Sequence, residues 1–169
     1  MAGLKYRVGD LIEAAKRKEV SVIAHGCNCF CTMQSGIAPL IAVAFPVAKE
    51  ADLKTEKGDA SKLGGISVGH DHTFGVTVFN LYSQFGYWGR REGKMDLNYS
   101  ALRSALARMR SSVHHQGLFE KPVGIPLIGA GLAGGNWNLI SRIITEELGT
   151  LPNLTVYVLD KKYIPKGVK

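Results

Sequence analysis

A glycine-rich loop between an apolar run and an amphipathic helix carries the clearest chemical signal in the sequence. The apolar run covers residues 123–128 and has the composition of a buried strand. Four glycines follow within residues 129–135, which we call the glycine loop. Asn136 then stands where a helix cap is expected, ahead of apolar residues at helical spacing. Such a loop presents unpaired backbone N–H groups to an anion, so the pattern predicts a site for a phosphate-bearing ligand.

The glycine spacing by itself also fits a dinucleotide-binding fingerprint, because Gly129, Gly131 and Gly134 follow a strand and open a helix. Only one further strand, at residues 154–159, follows the loop, whereas a Rossmann domain needs several more strand–helix units. The glycine–lysine signature of a P-loop NTPase is missing from the sequence. A purely structural glycine turn remains the alternative to a phosphate cradle.

Residues 25–38 form a second chemically informative segment, for which three interpretations compete. A metal site could use His25 with the nearby cysteines, but no second ligand pair exists elsewhere in the sequence. A cysteine phosphatase needs an arginine shortly after the nucleophile, and residues 28–37 contain none. In the third interpretation Ser35, Gly36 and Ile37 form a second anion loop at a helix N-terminus, and Asn28 offers its amide to sugar hydroxyls. Cys27, Cys29 and Cys31 are then reduced, buried packing residues.

Length and composition indicate a single domain covering residues 1–169, with an ordinary globular balance of 46% hydrophobic and 21% charged residues. Neither a membrane-spanning run nor a signal peptide is apparent, so we expect a cytoplasmic protein without a membrane partner. The net charge of +7 suits anionic ligands. Its only internal loop cluster is Arg90, Arg91 and Lys94, with no recognition helix or stacked-aromatic motif beside it, so we expect no nucleic-acid partner. We also expect a monomer.

Apolar strand patterns alternate with helical ones along the chain, which predicts an α/β domain with helices on both faces of a sheet. Pro46 should kink or divide a helix predicted over residues 37–52. His70, Asp71 and His72 have the composition of a turn between strands rather than of a catalytic group. Loops following four predicted strands, which end at residues 8, 25, 82 and 128, should meet at one edge of the sheet.

Several separated motifs together resemble those of the macrodomain family, whose members bind ADP-ribose. The motifs occur in register over essentially the whole chain: residues 9–11 (Gly-Asp-Leu), 25–28 (His-Gly-Cys-Asn), 35–38 (Ser-Gly-Ile-Ala), 125–137 and the strand at 155–159. The resemblance implies a three-layer α/β/α sandwich with a mixed central sheet.

The resemblance also implies roles for individual residues. Asp10 would accept the adenine amino group, with the Leu11 backbone beside it, and Asn28 would hold the distal ribose. The diphosphate would lie between two loops, whose contacting residues are Ser35, Gly36 and Ile37 on one side and Gly129, Ala130, Gly131 and Leu132 on the other.

Two positions favour one branch of the family. Gln84 and Ala133 stand where members that cleave ADP-ribose from carboxylates or DNA carry a lysine and, in some members, an aspartate. Neither residue can act as a nucleophile or carry a proton. The segments 25–28 and 97–100 (Leu-Asn-Tyr-Ser) instead resemble the branch that hydrolyses ADP-ribose-1''-phosphate.

Hydrolysis of ADP-ribose-1''-phosphate needs an anion pocket and a group that moves a proton near neutral pH. We expect His25 to be that catalytic residue, either activating water or protonating the departing oxygen. A structural histidine at a strand end is the alternative. We expect no cofactor and metal-independent chemistry. A non-catalytic ADP-ribose reader and a de-ADP-ribosylating hydrolase with substituted chemistry are the competing functions.

Overall fold

A six-stranded mixed sheet organises the structure, which is a computed structural model describing residues 3–168. The strands are β1 (Lys5–Val8), β2 (Val22–Cys27), β3 (Ile66–Asp71), β4 (Val76–Tyr82), β5 (Val123–Ile125) and β6 (Leu154–Val158). Their spatial order is β1-β6-β5-β2-β4-β3, and every neighbouring pair is parallel except β3 with β4. The helices are α1 (Leu11–Lys16), α2 (Ala38–Ala44), α3 (Pro46–Leu53), α4 (Tyr99–His115) and α5 (Trp137–Leu148).

Helices cover both faces of the sheet, which confirms the predicted three-layer sandwich. One face packs against α4 and α5, through core residues that include Leu102, Leu106, Ile140 and Ile144. The other face packs against α1, α2 and α3, through residues that include Ile12, Ile41, Phe45 and Ala48. Successive strand residues point to opposite faces, so Ala24 lies in the first core and Ile23 in the second.

Local sequence signals explain several of the element boundaries. The predicted division at Pro46 is confirmed, because α2 ends at Ala44 and Pro46 begins α3 after Phe45 leaves helical geometry. Asn98 and Asn136 cap the two long helices, since their side chains accept from the N–H groups of Ala101 and Asn138. None of the helices within residues 3–168 combines the length and the apolar character needed to cross a bilayer.

Three predicted elements differ from the structure. The strand predicted to end at His25 continues to Cys27, paired with β4 along its whole length. The strand predicted to reach Ile128 ends at Ile125, because Pro126 has no N–H group to continue the ladder. The predicted turn at residues 70–72 starts later, since His70 and Asp71 pair with Thr77 and Val76 across the β3–β4 hairpin. The Asp71 carboxylate closes that turn by accepting from the Phe74 N–H group at 2.7 Å.

Helix α3 lies directly on the sheet at Gly69, where there is no room for a side chain. A Cβ at this position would approach the Val47 carbonyl oxygen to 2.6 Å and the Val47 carbonyl carbon to 2.8 Å. Both atoms belong to the helix backbone, so α3 would have to move away from β3 to admit a methyl group. The absence of a Cβ at Gly69 therefore fixes how closely α3 approaches the sheet.

We expect Gly69→Ala to lower the free energy of unfolding by about 1–3 kcal/mol, as overpacking usually does. Urea denaturation followed by circular dichroism measures this loss. Gly9→Ala is the matched control, because a Cβ there meets only Tyr157 at an ordinary 3.7 Å. Equal stability of the two variants would contradict the close contact between α3 and β3.

Candidate functional site

The carboxyl ends of five parallel strands meet at one edge of the sheet, and the predicted site loops leave from that edge. At the centre of the sheet β5 lies beside β2, so the loops that follow these two strands are neighbours. We call residues 28–37 the β2 loop and residues 83–98 the β4 loop. Strand β1 lies three places from β2, about 14 Å away at the usual strand spacing. The edge is therefore long enough for an elongated ligand that contacts the loops of several strands.

The glycine loop turns so that three successive N–H groups are left free. Gly129 and Gly134 both adopt left-handed backbone angles, with φ of 74° and 78°. Hydrogen bonds from Gly135 to the Gly129 carbonyl and from Gly134 to the Gly131 carbonyl close the loop. Within residues 3–168 the N–H groups of Gly131, Leu132 and Ala133 have no acceptor, and Gly131 and Leu132 are exposed. This arrangement can donate to an anion.

The β2 loop offers a second group of free donors. Gly36 has a φ of 64°, and the N–H groups of Ser35, Gly36 and Ile37 have no acceptor in the described part of the chain. Ile37 caps α2 without a side-chain hydrogen bond. Ser35 and Gly36 are exposed, so their N–H groups are open to solvent or to a ligand. Both predicted anion loops thus carry unpaired backbone donors.

Asp10 lies at the far end of the same edge and caps helix α1. Its Oδ1 atom accepts from the N–H groups of Ile12 at 2.8 Å and Glu13 at 3.1 Å. The residue is exposed, and within residues 3–168 its Oδ2 atom accepts no hydrogen bond. The following Leu11 is buried and packs beside Gly124 on β5. Capping therefore orients the Asp10 carboxylate while leaving one oxygen for a donor.

Asn28 follows β2 directly and holds the start of the β2 loop. Its Oδ1 atom accepts from the Phe30 N–H group, and its Nδ2 atom donates to the Thr32 hydroxyl, both at 2.8 Å. An amide has two N–H bonds and two acceptor lone pairs, so each side of Asn28 retains capacity for a ligand. The half-buried side chain is thus fixed in one orientation at the centre of the edge.

His25 is placed differently from the other predicted site residues, because its ring is fully buried and faces α3 rather than the open edge. Its Nε2 atom lies 2.7 Å from Asn80 Oδ1. The Asn80 amide nitrogen donates to the Ala48 carbonyl, so Oδ1 is the acceptor and His25 Nε2 carries the proton. Burial lowers the pKa of His25 to about 4, although the bond to Asn80 opposes this shift. The ring is therefore neutral at pH 7. Because the ring has no access to a ligand in this conformation, the catalytic role of His25 stays a prediction.

His25 ends a chain of buried and half-buried polar side chains that local sequence patterns do not reveal. Asn80 Nδ2 lies 3.0 Å from Ser67 Oγ, which lies 2.8 Å from the Tyr82 hydroxyl. The Tyr82 hydroxyl donates to Asp52 on α3 at 2.7 Å. Burial raises the pKa of the Asp52 carboxyl, while the Tyr82 hydrogen bond opposes that shift. The chain fastens β2, β3 and β4 to α3 behind the candidate site.

The cysteines behave as packing residues in this arrangement. All three are free thiols, with Cys27 and Cys29 buried. Burial raises the pKa of both thiols, which keeps them protonated at neutral pH. Among the described residues, 3–168, no three His, Cys, Asp or Glu side chains are grouped so that they could hold a metal ion.

Gln84 and Ala133 stand at the positions that distinguish branches of the resembled family, and both side chains contact other parts of the protein. Gln84 Nε2 donates to the Gly86 carbonyl at 2.7 Å, within its own loop. The Ala133 side chain is 8% exposed and packs in the core between the sheet and α4 and α5. The Ala133 carbonyl accepts from the N–H groups of Asp96 and Leu97, which ties the glycine loop to the β4 loop.

The buried neutral His25 predicts a specific pH dependence of stability. Its pKa is about 4 when folded and about 6.5 when unfolded, so the unfolded state binds more protons between these values. This contribution is complete above pH 6.5 and is lost as the pH falls towards 4. Between pH 7 and pH 5, we expect His25 to reduce the free energy of unfolding by about 2 kcal/mol. Denaturation of the unmodified protein and His25→Gln at both pH values measures this difference.

Glutamine cannot titrate, so the loss assigned to His25 should disappear in His25→Gln. His70→Gln is the matched control, because it makes the same replacement at an exposed histidine. If the free energy of unfolding changed equally between pH 7 and pH 5 in His25→Gln and in the unmodified protein, the buried neutral state of His25 would be contradicted.

Comparison with known proteins finds relatives in sequence and in fold. No family model matches the sequence. An uncharacterised 17.5 kDa protein of Enterobacteria phage T4 is 40% identical over 144 residues, which cover 83% of this chain and 87% of the phage protein. The ADP-ribose 1''-phosphate phosphatase of Saccharomyces cerevisiae is 24% identical over 180 residues, covering 94% of this chain and all of the yeast protein (100%).

Solved structures give the same result for the fold. A protein of unknown function from Bacteroides thetaiotaomicron has a TM-score of 0.76 at 27% identity, covering 91% of this chain and 96% of that one. A macrodomain protein from Streptomyces coelicolor has a TM-score of 0.67 at 25% identity, covering 92% and 98%. A Trypanosoma brucei macrodomain, solved in complex with ADP-ribose, has a TM-score of 0.61 at 13% identity, covering 93% and 63%. The chain therefore has the macrodomain fold, and its sequence is similar to those of a macrodomain protein and an ADP-ribose 1''-phosphate phosphatase.

Proposed function

We propose that this protein binds ADP-ribose at the carboxyl edge of its sheet. The observation that carries this proposal is the pair of neighbouring loops with unpaired N–H groups, at residues 35–37 and 131–133. Two such groups of donors suit a diphosphate, which presents acceptor oxygens on both sides. The net charge of +7 adds a long-range attraction for an anionic ligand. The Trypanosoma brucei macrodomain in complex with ADP-ribose supports the assignment of the ligand.

The remaining site residues match the two ends of this ligand. The free oxygen of Asp10 would accept the adenine amino group, and the Leu11 backbone would lie beside the base. Asn28 would bind the hydroxyls of the distal ribose with the unused part of its amide. In the glycine loop, Gly129 and Ala130 would lead the chain to the diphosphate, and Gly131 and Leu132 would donate to it.

A carboxylate in the glycine loop should prevent binding, because it would place negative charge against the diphosphate. We expect Gly131→Glu to weaken ADP-ribose binding more than about 100-fold, measured by isothermal titration calorimetry. Space is available for the new side chain, since no atom lies within 4 Å of a Cβ at this position.

Gly3→Glu is the matched control for this experiment. It adds the same charge at an exposed glycine that also has no atom within 4 Å, and it lies outside both loops. Its affinity should stay within about twofold of the unmodified protein, by additivity for distant sites. Equal affinities of Gly131→Glu and Gly3→Glu would remove the glycine loop from the site. Absence of any ADP-ribose binding would reject the proposed function.

We further propose that the bound substrate is ADP-ribose-1''-phosphate, which the protein hydrolyses to ADP-ribose and phosphate. The specific observation favouring this activity is that Gln84 and Ala133 leave no amine or carboxylate at the two positions that glycohydrolase chemistry uses. The yeast phosphatase, aligned over 94% of this chain, supports the same substrate. Binding without turnover is the alternative, in which the protein acts as a reader of ADP-ribose.

In the proposed reaction a water molecule attacks the 1''-phosphorus and the bond from phosphorus to the ribose oxygen breaks. The attacking water loses a proton, and the departing ribose oxygen gains one. The N–H groups at residues 35–37 that the diphosphate leaves unused would stabilise the charge on the transferring phosphoryl group. His25 could move a proton in this step only if its ring left the contact with Asn80. Its burial favours a positioning role, in which it holds the end of β2 and thereby Asn28.

His25→Gln distinguishes a positioning role from proton transfer. Glutamine can still donate to Asn80 but cannot carry a proton near neutral pH. We expect the variant to retain phosphate release from ADP-ribose-1''-phosphate within about tenfold, a loss smaller than general acid–base catalysis contributes. A loss of more than about 100-fold in kcat with unchanged ADP-ribose affinity would assign proton transfer to His25.

The same assay with the unmodified protein separates the candidate functions. Release of phosphate from ADP-ribose-1''-phosphate supports the phosphatase. Release of ADP-ribose from a mono-ADP-ribosylated protein would instead identify a de-ADP-ribosylating hydrolase. Binding without release of either product would leave the reader.

A further inference from the structure

Four aromatic side chains from two loops form a cluster beside the candidate site. Phe30 in the β2 loop is the centre, with its ring centroid 5.0 Å from that of Phe85, 6.2 Å from Tyr87 and 5.2 Å from Trp88. The contacts are edge-to-face, which suits the charge distribution of aromatic rings. We call Phe30, Phe85, Tyr87 and Trp88 the aromatic cluster.

Part of the aromatic cluster is open to solvent. Tyr87 is 50% exposed and Trp88 is 43% exposed, while Phe30 and Phe85 support them from below. Trp88 also lies against Gly86, where a Cβ would approach its ring to 2.7 Å. The two exposed rings are thus held in place by packing and have little side-chain freedom to lose when a ligand stacks on them.

Exposed cations lie close in sequence to the aromatic cluster. Arg90 and Arg91 follow Trp88 in the chain, are exposed, and make no ion pair within residues 3–168. Lys94 pairs with Glu92 at 3.3 Å, and both side chains are largely exposed. On the other side, the exposed Lys57 precedes Gly58, which packs against Phe30. The guanidinium groups of Arg90 and Arg91 are therefore available for phosphates.

We propose that the aromatic cluster and its cations bind single-stranded nucleic acid. Exposed, rigid aromatic rings provide stacking surfaces for unpaired bases, and arginines beside them contact the backbone phosphates. An expectation based on the sequence alone excluded nucleic acid, because no aromatic motif accompanied the charges. The fold supplies that motif by bringing Phe30 against the β4 loop.

The location adds a second argument, since the surface borders the candidate ADP-ribose site. Asn28 accepts from the N–H group of Phe30, and the β4 loop contacts the glycine loop through Ala133. A single strand on the aromatic cluster would therefore run beside the bound nucleotide. The aromatic cluster shares no residue with the proposed ADP-ribose contacts, so each proposal can fail without the other.

Fluorescence anisotropy tests the proposal, with labelled oligothymidylate and oligouridylate of about 12 nucleotides as DNA and RNA probes. We expect the double variant Y87A/W88A to bind at least about tenfold more weakly, because it removes two stacking surfaces. We expect R90Q/R91Q to reduce the slope of log affinity against log salt by about 1.4, or about 0.7 for each lost phosphate contact.

A matched control surface exists at the C-terminal side of the chain. Tyr163 is 51% exposed, and Lys162 Nζ lies 5.2 Å from the centroid of its ring, with Lys161 adjacent. K161Q/K162Q removes the same charge as R90Q/R91Q. We expect it to change the slope of log affinity against log salt by less than half the change caused by R90Q/R91Q. An equal effect of the two variants, or unchanged affinity in Y87A/W88A, would overturn the proposal.

Two further measurements keep the test decisive if Y87A/W88A does not fold. In Trp137→Phe the only remaining tryptophan is Trp88, so oligonucleotide binding should quench its fluorescence. Polyglutamate and anionic phosphatidylserine vesicles test for simple attraction to negative charge. Equal affinity for either, or an unchanged Trp88 signal on saturation with both oligonucleotides, would reject a site for single strands.

Discussion

Parallel pairing at the centre of the sheet is the constraint on which the rest of this structure depends. Strand β2 pairs along its whole length with β4, from Val22 with Thr77 to Cys27 with Tyr82, and its first residues pair with β5. Parallel neighbours send their carboxyl ends, and hence their following loops, to the same edge. The β2 loop, the β4 loop and the glycine loop meet for this reason. A shift of β2 by one residue would displace Asn28 relative to the glycine loop and would turn each side chain of β2 to the opposite face of the sheet.

The donors in the proposed site are mainly backbone groups, so the sequence has to specify their conformation more than the identity of their side chains. In the proposed site Gly131, Leu132, Ser35 and Gly36 would contribute through their unpaired N–H groups, so the requirement on the sequence is conformational. Positive φ favours glycine at Gly129 and Gly134, and Gly135 has no room for a Cβ beside Leu97 and the Gly129 carbonyl oxygen. In the proposed site, side chains would contribute specificity through the Asp10 carboxylate at one end of the edge and the Asn28 amide at its centre.

Features encoded by neighbouring residues could be predicted from the sequence. The glycine loop, the cap at Asn136 and the break at Pro46 all follow from local conformational rules, and the structure has each of them. The buried placement of His25 could not be predicted in this way, because it depends on Asn80, 55 residues away. One signal was available: Asn80 interrupts an otherwise largely apolar strand, and a buried amide needs partners. The aromatic cluster was missed for the same physical reason, since Phe30 reaches it from a distant loop.

The Ala133 carbonyl, which accepts from both Asp96 and Leu97, has a further consequence for the glycine loop. These two bonds fix the peptide plane that follows Ala133, and the bonds from Gly134 and Gly135 fix the turn on either side. The free N–H groups of the loop are thus held in place before any anion arrives. Ordering a loop on binding costs conformational entropy. Because the glycine loop is already ordered by these hydrogen bonds in the free protein, it loses little conformational entropy when a ligand binds. Preorganisation of this kind gives a small, solvent-open site tighter binding than its few contacts alone would provide.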